Sequence, residues 1–396
     1  MVQHGTSRHP NLNAAMARTR FIPSPAALRL ALIVALPFAA ACASGGSGPA
    51  SSDPSGGVSR IPSQQPAMAA SAWQVRTKEH VDLWLHSYAL ITRDTTLVPY
   101  FRRGYRDRML AVRRQRNATS LLDTDREKLL ARIAANPSLA TNGQFLPLYF
   151  TSWDQMRQAI DLFQRANGNP NATQDAGARQ MLGLLASTFP SAADRQWLAT
   201  FSAAVDDESR KFYHVYWTAE ASSHAATVTR TDALWQGTWR PALQRFLNNT
   251  QQQNGELYLT LPLGGEGRTV HFGKQENAVA GAVGDSPAEA EVALYVVVHE
   301  ITGAVAGAAI EDNTTPADRR AGVTSRYEQA AAVRAGALLL ERVIPAAVPG
   351  YMRYYLQQAG RAAPSDPRSA FASAYSLPDA VREAITRQFD VVLGGI

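Results

Sequence analysis

The sequence predicts a mainly helical chain with one small β-sheet, an α+β fold, and three observations carry that expectation. Between 73 and 250 apolar residues recur at helical spacing, as in Val81, Trp84, Leu85 and Tyr88. Between 254 and 283 the texture becomes that of short strands and turns. From Ser286 onward, two helix-start signatures open long apolar runs. The expected division is a leader over 1–41, a tether over 42–72, a helical region over 73–250 and an α+β domain over 251–396.

Within the helical region, turn clusters such as Asn167-Gly168-Asn169-Pro170 separate the segments. Phe212, Tyr213, Tyr216, Trp217, Trp235 and Trp239 read as core aromatics. Glu220 and His224 stand one helical turn apart with His214 nearby; satisfied histidines account for them more simply than a metal pair does. Arg102, Arg103, Arg106, Arg108, Arg113, Arg114 and Arg116 crowd one helix whose only acid is Asp107. They read as a solvated face, the other reading being attraction to anionic lipid head groups.

In the second half, 256–263 (ELYLTLPL) favours a strand, Gly264-Gly265-Glu266-Gly267 a turn, 268–272 a returning strand and 278–283 a third. Ser286, Pro287 and Glu289 make a capping box that should start a helix running to about Asp312. Thr315-Pro316-Ala317-Asp318 starts another, expected through Glu328 to Arg342 before Pro345 and Pro349 interrupt it.

The first forty residues contain Arg18, Arg20 and Arg29 ahead of an apolar run over 30–41, and no acidic residue. That run falls short of the about 20 residues needed to span a bilayer. It ends at Ala39-Ala40-Ala41-Cys42, followed by a Gly/Ser/Pro-rich stretch over 45–57. The arrangement resembles a bacterial lipoprotein signal, with Ala39 where such signals usually place Leu, and Met16 is an alternative start. The resemblance implies lipidation of Cys42, membrane attachment through it, and a place in the cell envelope. Ala43 after the cysteine implies the outer membrane, periplasmic side. Cys42 is the only cysteine, so the mature chain holds no internal disulfide.

The formal charge of +6 shrinks once the leader is set aside. Arg8, Arg18, Arg20 and Arg29 lie before Cys42 and no acid does, leaving 35 basic against 33 acidic residues. A nearly neutral mature chain argues against nucleic acid as a partner.

Chemistry concentrates at Tyr295-Val-Val-Val-His299-Glu300-Ile301-Thr302-Gly303, on a helix apolar almost all round over 292–310. An ionised carboxylate out of water costs several kcal/mol unless it is paired, hydrogen-bonded or facing a metal, so His299 and Glu300 are candidates on physical grounds. A strand pair, then a strand over 278–283, then an apolar helix carrying His-Glu resembles the zincin metallopeptidases, and their gluzincin branch in particular. The resemblance implies that His299 binds zinc, that Glu328 on the next helix is a further ligand, and that Glu300 is the general base on the bound water. It also implies that 278–283 is an edge strand aligning an extended peptide. Glu341 is a second candidate for the ligand on the later helix.

This sequence departs from His-Glu-x-x-His at Gly303, which has no side chain to donate. The expectation is therefore a degenerate, pseudoenzyme-like domain that binds peptide or protein in its groove. The alternatives are an active zinc metallopeptidase in which His271 or Asp312 substitutes, and a non-enzymatic helical lipoprotein unrelated to peptidases. In that last case Gly303 and Gly307 would form a small-x-x-x-small stripe for close helix packing. A membrane-spanning reading of 292–310 is poorer, because a mid-helix Glu costs about 2.5–3.5 kcal/mol even on lenient scales.

Overall fold

The computed structural model describes residues 73–92, 96–272 and 277–394. Cys42, the leader and the tether lie outside the described residues. As expected, the fold is mainly α with a small β-sheet.

The sheet has four strands in the order β1-β2-β4-β3, where β1 is Gln74–Arg76, β2 Glu256–Thr260, β3 Arg268–His271 and β4 Asn277–Ala282. β2 runs parallel to both β1 and β4, and β3 runs antiparallel to β4. After β2 the chain crosses to the far edge, descends as β3 and returns as β4 in the interior. One expectation is corrected here. The strand expected at the edge, over 278–283, is an interior strand, hydrogen-bonded on both sides; β3 is the edge on that flank. β1, from the region before 250, pairs with β2, from the region after it.

The sheet lies between two cores because strand side chains alternate faces. Tyr258, Val270, Ala278 and Ala280 pack with the aromatics of the helical region, among them Trp84, Tyr88, Phe201 and Tyr213. Leu257 and Val279 face Leu294, Val296, Val297 and the later helices. Close approach of helix to sheet is made possible by Gly281, where a Cβ would meet Val296 Cγ1 at 3.2 Å.

The aromatic stripe is core, as read. Tyr213, Trp235 and Trp239 are buried, and each lies in a π-helical turn, Ser209–Tyr213 or Trp235–Trp239. A π turn takes an extra residue, which slows the rotation of the helix and lets the neighbours Phe212 and Tyr213 share one buried side. The arginine cluster is partly structural. Arg113 pairs with Asp123 and Glu208 in the interior, Arg102 reaches Asp285 and the Leu263 and Val283 carbonyls, and Arg106 caps Leu90.

The helix starts differ in outcome. The Thr315–Asp318 capping box forms with Pro316 at the first position, yet its helix, Pro316–Arg320, stops at Gly322, whose φ of 71° suits glycine. The helix carrying Glu328 is a separate one, Val323–Val343. At Ser286 the box does not close: Ser286 makes no side-chain cap, Pro287–Glu289 is a 3-10 turn, and the helix proper is Ala290–Ile301. The Glu289 carboxylate instead accepts from the Asp285 amide at 3.1 Å.

Candidate metal centre

His299 and Glu300 occupy the last turn of the helix Ala290–Ile301, and the helix Gly303–Asp312 follows after a hitch at Thr302. The hitch has a local cause. Thr302 Oγ1 donates to the carbonyls of Val298 and His299, at 2.9 and 3.0 Å, competing with the regular backbone ladder. The span Pro287–Asp312 is long and apolar enough to cross a membrane, but 72% of its most apolar window is buried inside the molecule, as in a core helix.

A third acid joins the pair. Glu266, His299 and Glu300 each offer a ligand atom, and these atoms lie within 4.8 Å of one another. His299 Nδ1 stands 3.0 Å from Glu300 Oε1, so with the carboxylate ionised the ring donates from Nδ1. That leaves Nε2 on the Glu266 side, 3.9 Å from Glu266 Oε1. Such a gap is too long for a hydrogen bond and close to what two zinc–ligand bonds of about 2.0–2.2 Å can span. One imidazole and two carboxylates form a possible metal-binding group.

Long-range contacts place each group. Glu266 lies in the Gly264–Gly267 segment, which is not a free hairpin turn: the Gly264 and Glu266 amides donate to Tyr100 and Pro99 carbonyls at 2.6 and 3.1 Å. From the helix Val348–Gln358, Tyr354 and Tyr355 hydroxyls donate to the Gly264 and Gly265 carbonyls, each at 3.0 Å. The Tyr355 ring also stacks on His299, centroids 5.4 Å apart. Gly267 donates its amide to Glu300 Oε1 at 2.9 Å. Only glycine permits this, since a Cβ there would run into the Ala280 carbonyl and stand 3.2 Å from Glu300 Cγ.

The centre is enclosed, with His299 3% and Glu266 4% exposed. Burial pushes the Glu300 carboxyl up, but the hydrogen bond and charge of His299, the Gly267 amide and the more distant Arg268 outweigh it and hold the group below the usual carboxylate range.

Of the residues singled out from sequence, the structure brings His299 and Glu300 together. Glu328 lies on Val323–Val343, a helix that packs on both Ala290–Ile301 and Gly303–Asp312, but its carboxylate is not in the three-residue group. Glu341 pairs with Arg368 at 3.4 Å. His271 is exposed on β3 beside Asn277, and Asp312 is exposed at the end of its helix; neither belongs to the group. His224 Nδ1 sits 2.9 Å from the Glu220 carbonyl, a local contact in place of a metal pair. Sequence reasoning missed Glu266. Its signal was an acid set between close-packing glycines, which also describes an ordinary solvated turn.

The glycine stripe has a plain outcome. A Cβ on Gly303 or on Gly307 would meet nothing within 4 Å, so neither serves close helix packing, and the place of the missing histidine is open. No protein-family model, curated protein or solved structure matches this chain.

Proposed function

We propose that this chain is a cell-envelope lipoprotein, anchored in the membrane through lipidated Cys42, whose zincin-like part has given up peptidase chemistry and keeps a closed divalent-metal centre. The carrying observation is the commitment of Glu300. Its Oε1 accepts from both His299 Nδ1 and the Gly267 amide in a buried setting, where a general base would have to reach a water. A catalytic zinc keeps an open coordination position, whereas structural sites are closed. Tyr355 over His299 and the burial of Glu266 favour the closed kind.

His299 Nε2 and Glu266 would hold the ion while Glu300 fixes the ring through Nδ1, and in such a site the ion supplies folding energy by tying together segments distant in sequence. Those segments are the 264–267 loop, held by the helical region, and the helix Ala290–Ile301. Any extended peptide adding to the sheet on this flank would pair with β3, since β4 has no free edge.

Elemental analysis of the purified chain combined with an assay on unstructured peptides tests the reading. The expected result is about one zinc per chain, lost in His299→Ala, with no cleavage. Hydrolysis that disappears in Glu300→Gln would overturn it and establish an active metallopeptidase. A Gly303→His variant that tightens zinc binding would mark the open position as the place of a lost ligand.

A further inference from the structure

A second candidate site lies away from the metal centre and shares no residue with it. Between the helices Val323–Val343 and Asp379–Val392 is a cleft of about 380 Å³ lined by Arg334, Leu338, Arg382, Glu383, Thr386 and Arg387. The spacing explains the lining. Arg334 and Leu338 are four apart on one helix, while Arg382 with Thr386, and Glu383 with Arg387, are four apart on the other.

Arg334 is the unusual member. Its guanidinium stands over the buried Phe371 ring, 5.6 Å from the centroid, and makes no ion pair or hydrogen bond with any described residue. The other two arginines have local partners: Arg382 with the exposed Asp379 at 2.8 Å, and Arg387 with Glu383 at 3.8 Å. Burial and the nearby Arg382 charge both lower the Arg334 pKa, with Glu341 pulling the other way. A half-buried guanidinium, fixed on an aromatic face with its donors uncommitted, is an arrangement that an oxyanion completes.

We propose that this cleft is a binding site for a phosphate monoester, held by Arg334 with Arg382, Arg387 and the Thr386 hydroxyl. Arg382 and Arg387 each have one acid beside them, Asp379 and Glu383, so the uncommitted charge is that of Arg334. The three guanidiniums together offer more N–H donors than a carboxylate's two oxygens use, and a phosphate monoester has three terminal oxygens to accept them. Leu338 and the Phe371 ring beneath Arg334 provide apolar surface for the group that the ester carries.

The test is titration of the full chain, in detergent, with phenyl phosphate and with inorganic phosphate, alongside flotation with vesicles of phosphatidylcholine with and without a phosphomonoester lipid, phosphatidic acid. Arg334→Gln should weaken phenyl phosphate binding about tenfold or more, and added salt should weaken binding by the parent. Arg387→Gln, at an exposed position, should weaken it in the same direction. Arg157→Gln, on a different surface, should leave it unchanged. Arg334-dependent binding to phenyl phosphate identifies a soluble ligand; Arg334-dependent binding confined to phosphatidic acid vesicles identifies a lipid head group as the source. Equal binding by parent, Arg334→Gln and Arg387→Gln, or no binding in any arm, would overturn the proposal.

Discussion

Among the described residues a buried histidine–glutamate pair lies in each region, and their surroundings set them apart. In the helical region His86 Nε2 lies 3.1 Å from Glu208 Oε1 and Nδ1 lies 3.0 Å from the Tyr105 hydroxyl, with the ring stacked on Tyr213 at 4.2 Å. Glu208 also accepts from Arg113 at 3.1 Å and from Ser120. Burial pushes Glu208 up, but His86, Arg113 and Ser120 together hold it below the usual range, while burial lowers His86. This pair is closed by hydrogen bonds and balanced by a guanidinium, so it ties the fold. At His299 the ring nitrogen on the far side from Glu300 faces a second carboxylate at 3.9 Å, a metal-sized gap rather than a hydrogen bond. Residue type and burial are nearly the same in the two places; the ligand geometry differs.

The comparison is most exposed to a Glu208→Ala variant. Removing that carboxylate takes the shared acceptor from His86 and Ser120 and leaves Arg113 with Asp123 alone, and it should cost about 3 kcal/mol in urea unfolding. Its zinc content should nevertheless match the parent's if the protein still folds.

Zinc linkage is the next largest effect. At about a hundredfold excess over the dissociation constant, zinc should stabilise the parent by about 2.7 kcal/mol. His299→Ala should abolish that gain, and His86→Ala should keep it. Equal zinc responses in the two variants would erase the distinction between the pairs.

A third carboxylate sharpens the point about charge balance. Asp82 is fully buried and accepts only neutral donors, Trp217 Nε1 at 2.7 Å and the Leu261 amide at 2.9 Å. Burial pushes its pKa up to about 7 against those two hydrogen bonds, with Arg102 also lowering it and Glu79 raising it. Between the ordinary value of 3.8 and about 7 the folded state therefore holds a proton that the unfolded chain has lost. The stability this group contributes is fully present below pH 3.8 and is lost as pH rises through about 7. Asp82→Asn should remove a downward slope of up to about 1.4 kcal/mol per pH unit over that window, read as parent minus variant in unfolding experiments.

The smallest effect belongs to Gly303→Ala. A Cβ there meets nothing, and the backbone is helical, so stability should rise by about 0.5–1 kcal/mol. A loss of similar size would reinstate the packing role for the glycine stripe.

Much of this was legible in the chain because it depends on near neighbours. The core character of Phe212, Tyr213 and Trp235 followed from aromatic density at helical spacing, and the candidacy of His299 and Glu300 from two polar residues inside an apolar helix. The helix start at Thr315 was readable for the same reason, since its partners lie three residues apart, whereas the box read at Ser286 does not close. Other features were hidden because their causes are distant. β1 is three residues long and becomes a strand only beside β2, about 180 positions later. Glu266 was hidden in the same way, because the 264–267 loop is set by Pro99, Tyr100, Tyr354 and Tyr355, none of them sequence neighbours.

The sequence by itself determined the class of fold, the buried helix and the presence of a histidine and a glutamate on it, since helical periodicity and the cost of burying charge act locally. Only the tertiary structure decided that β3 rather than β4 is the edge, that Glu266 completes the group, and that Arg334 faces a cleft. Each of those depends on which distant backbone comes within hydrogen-bonding or ion-pairing reach, and composition does not encode that at any fixed spacing.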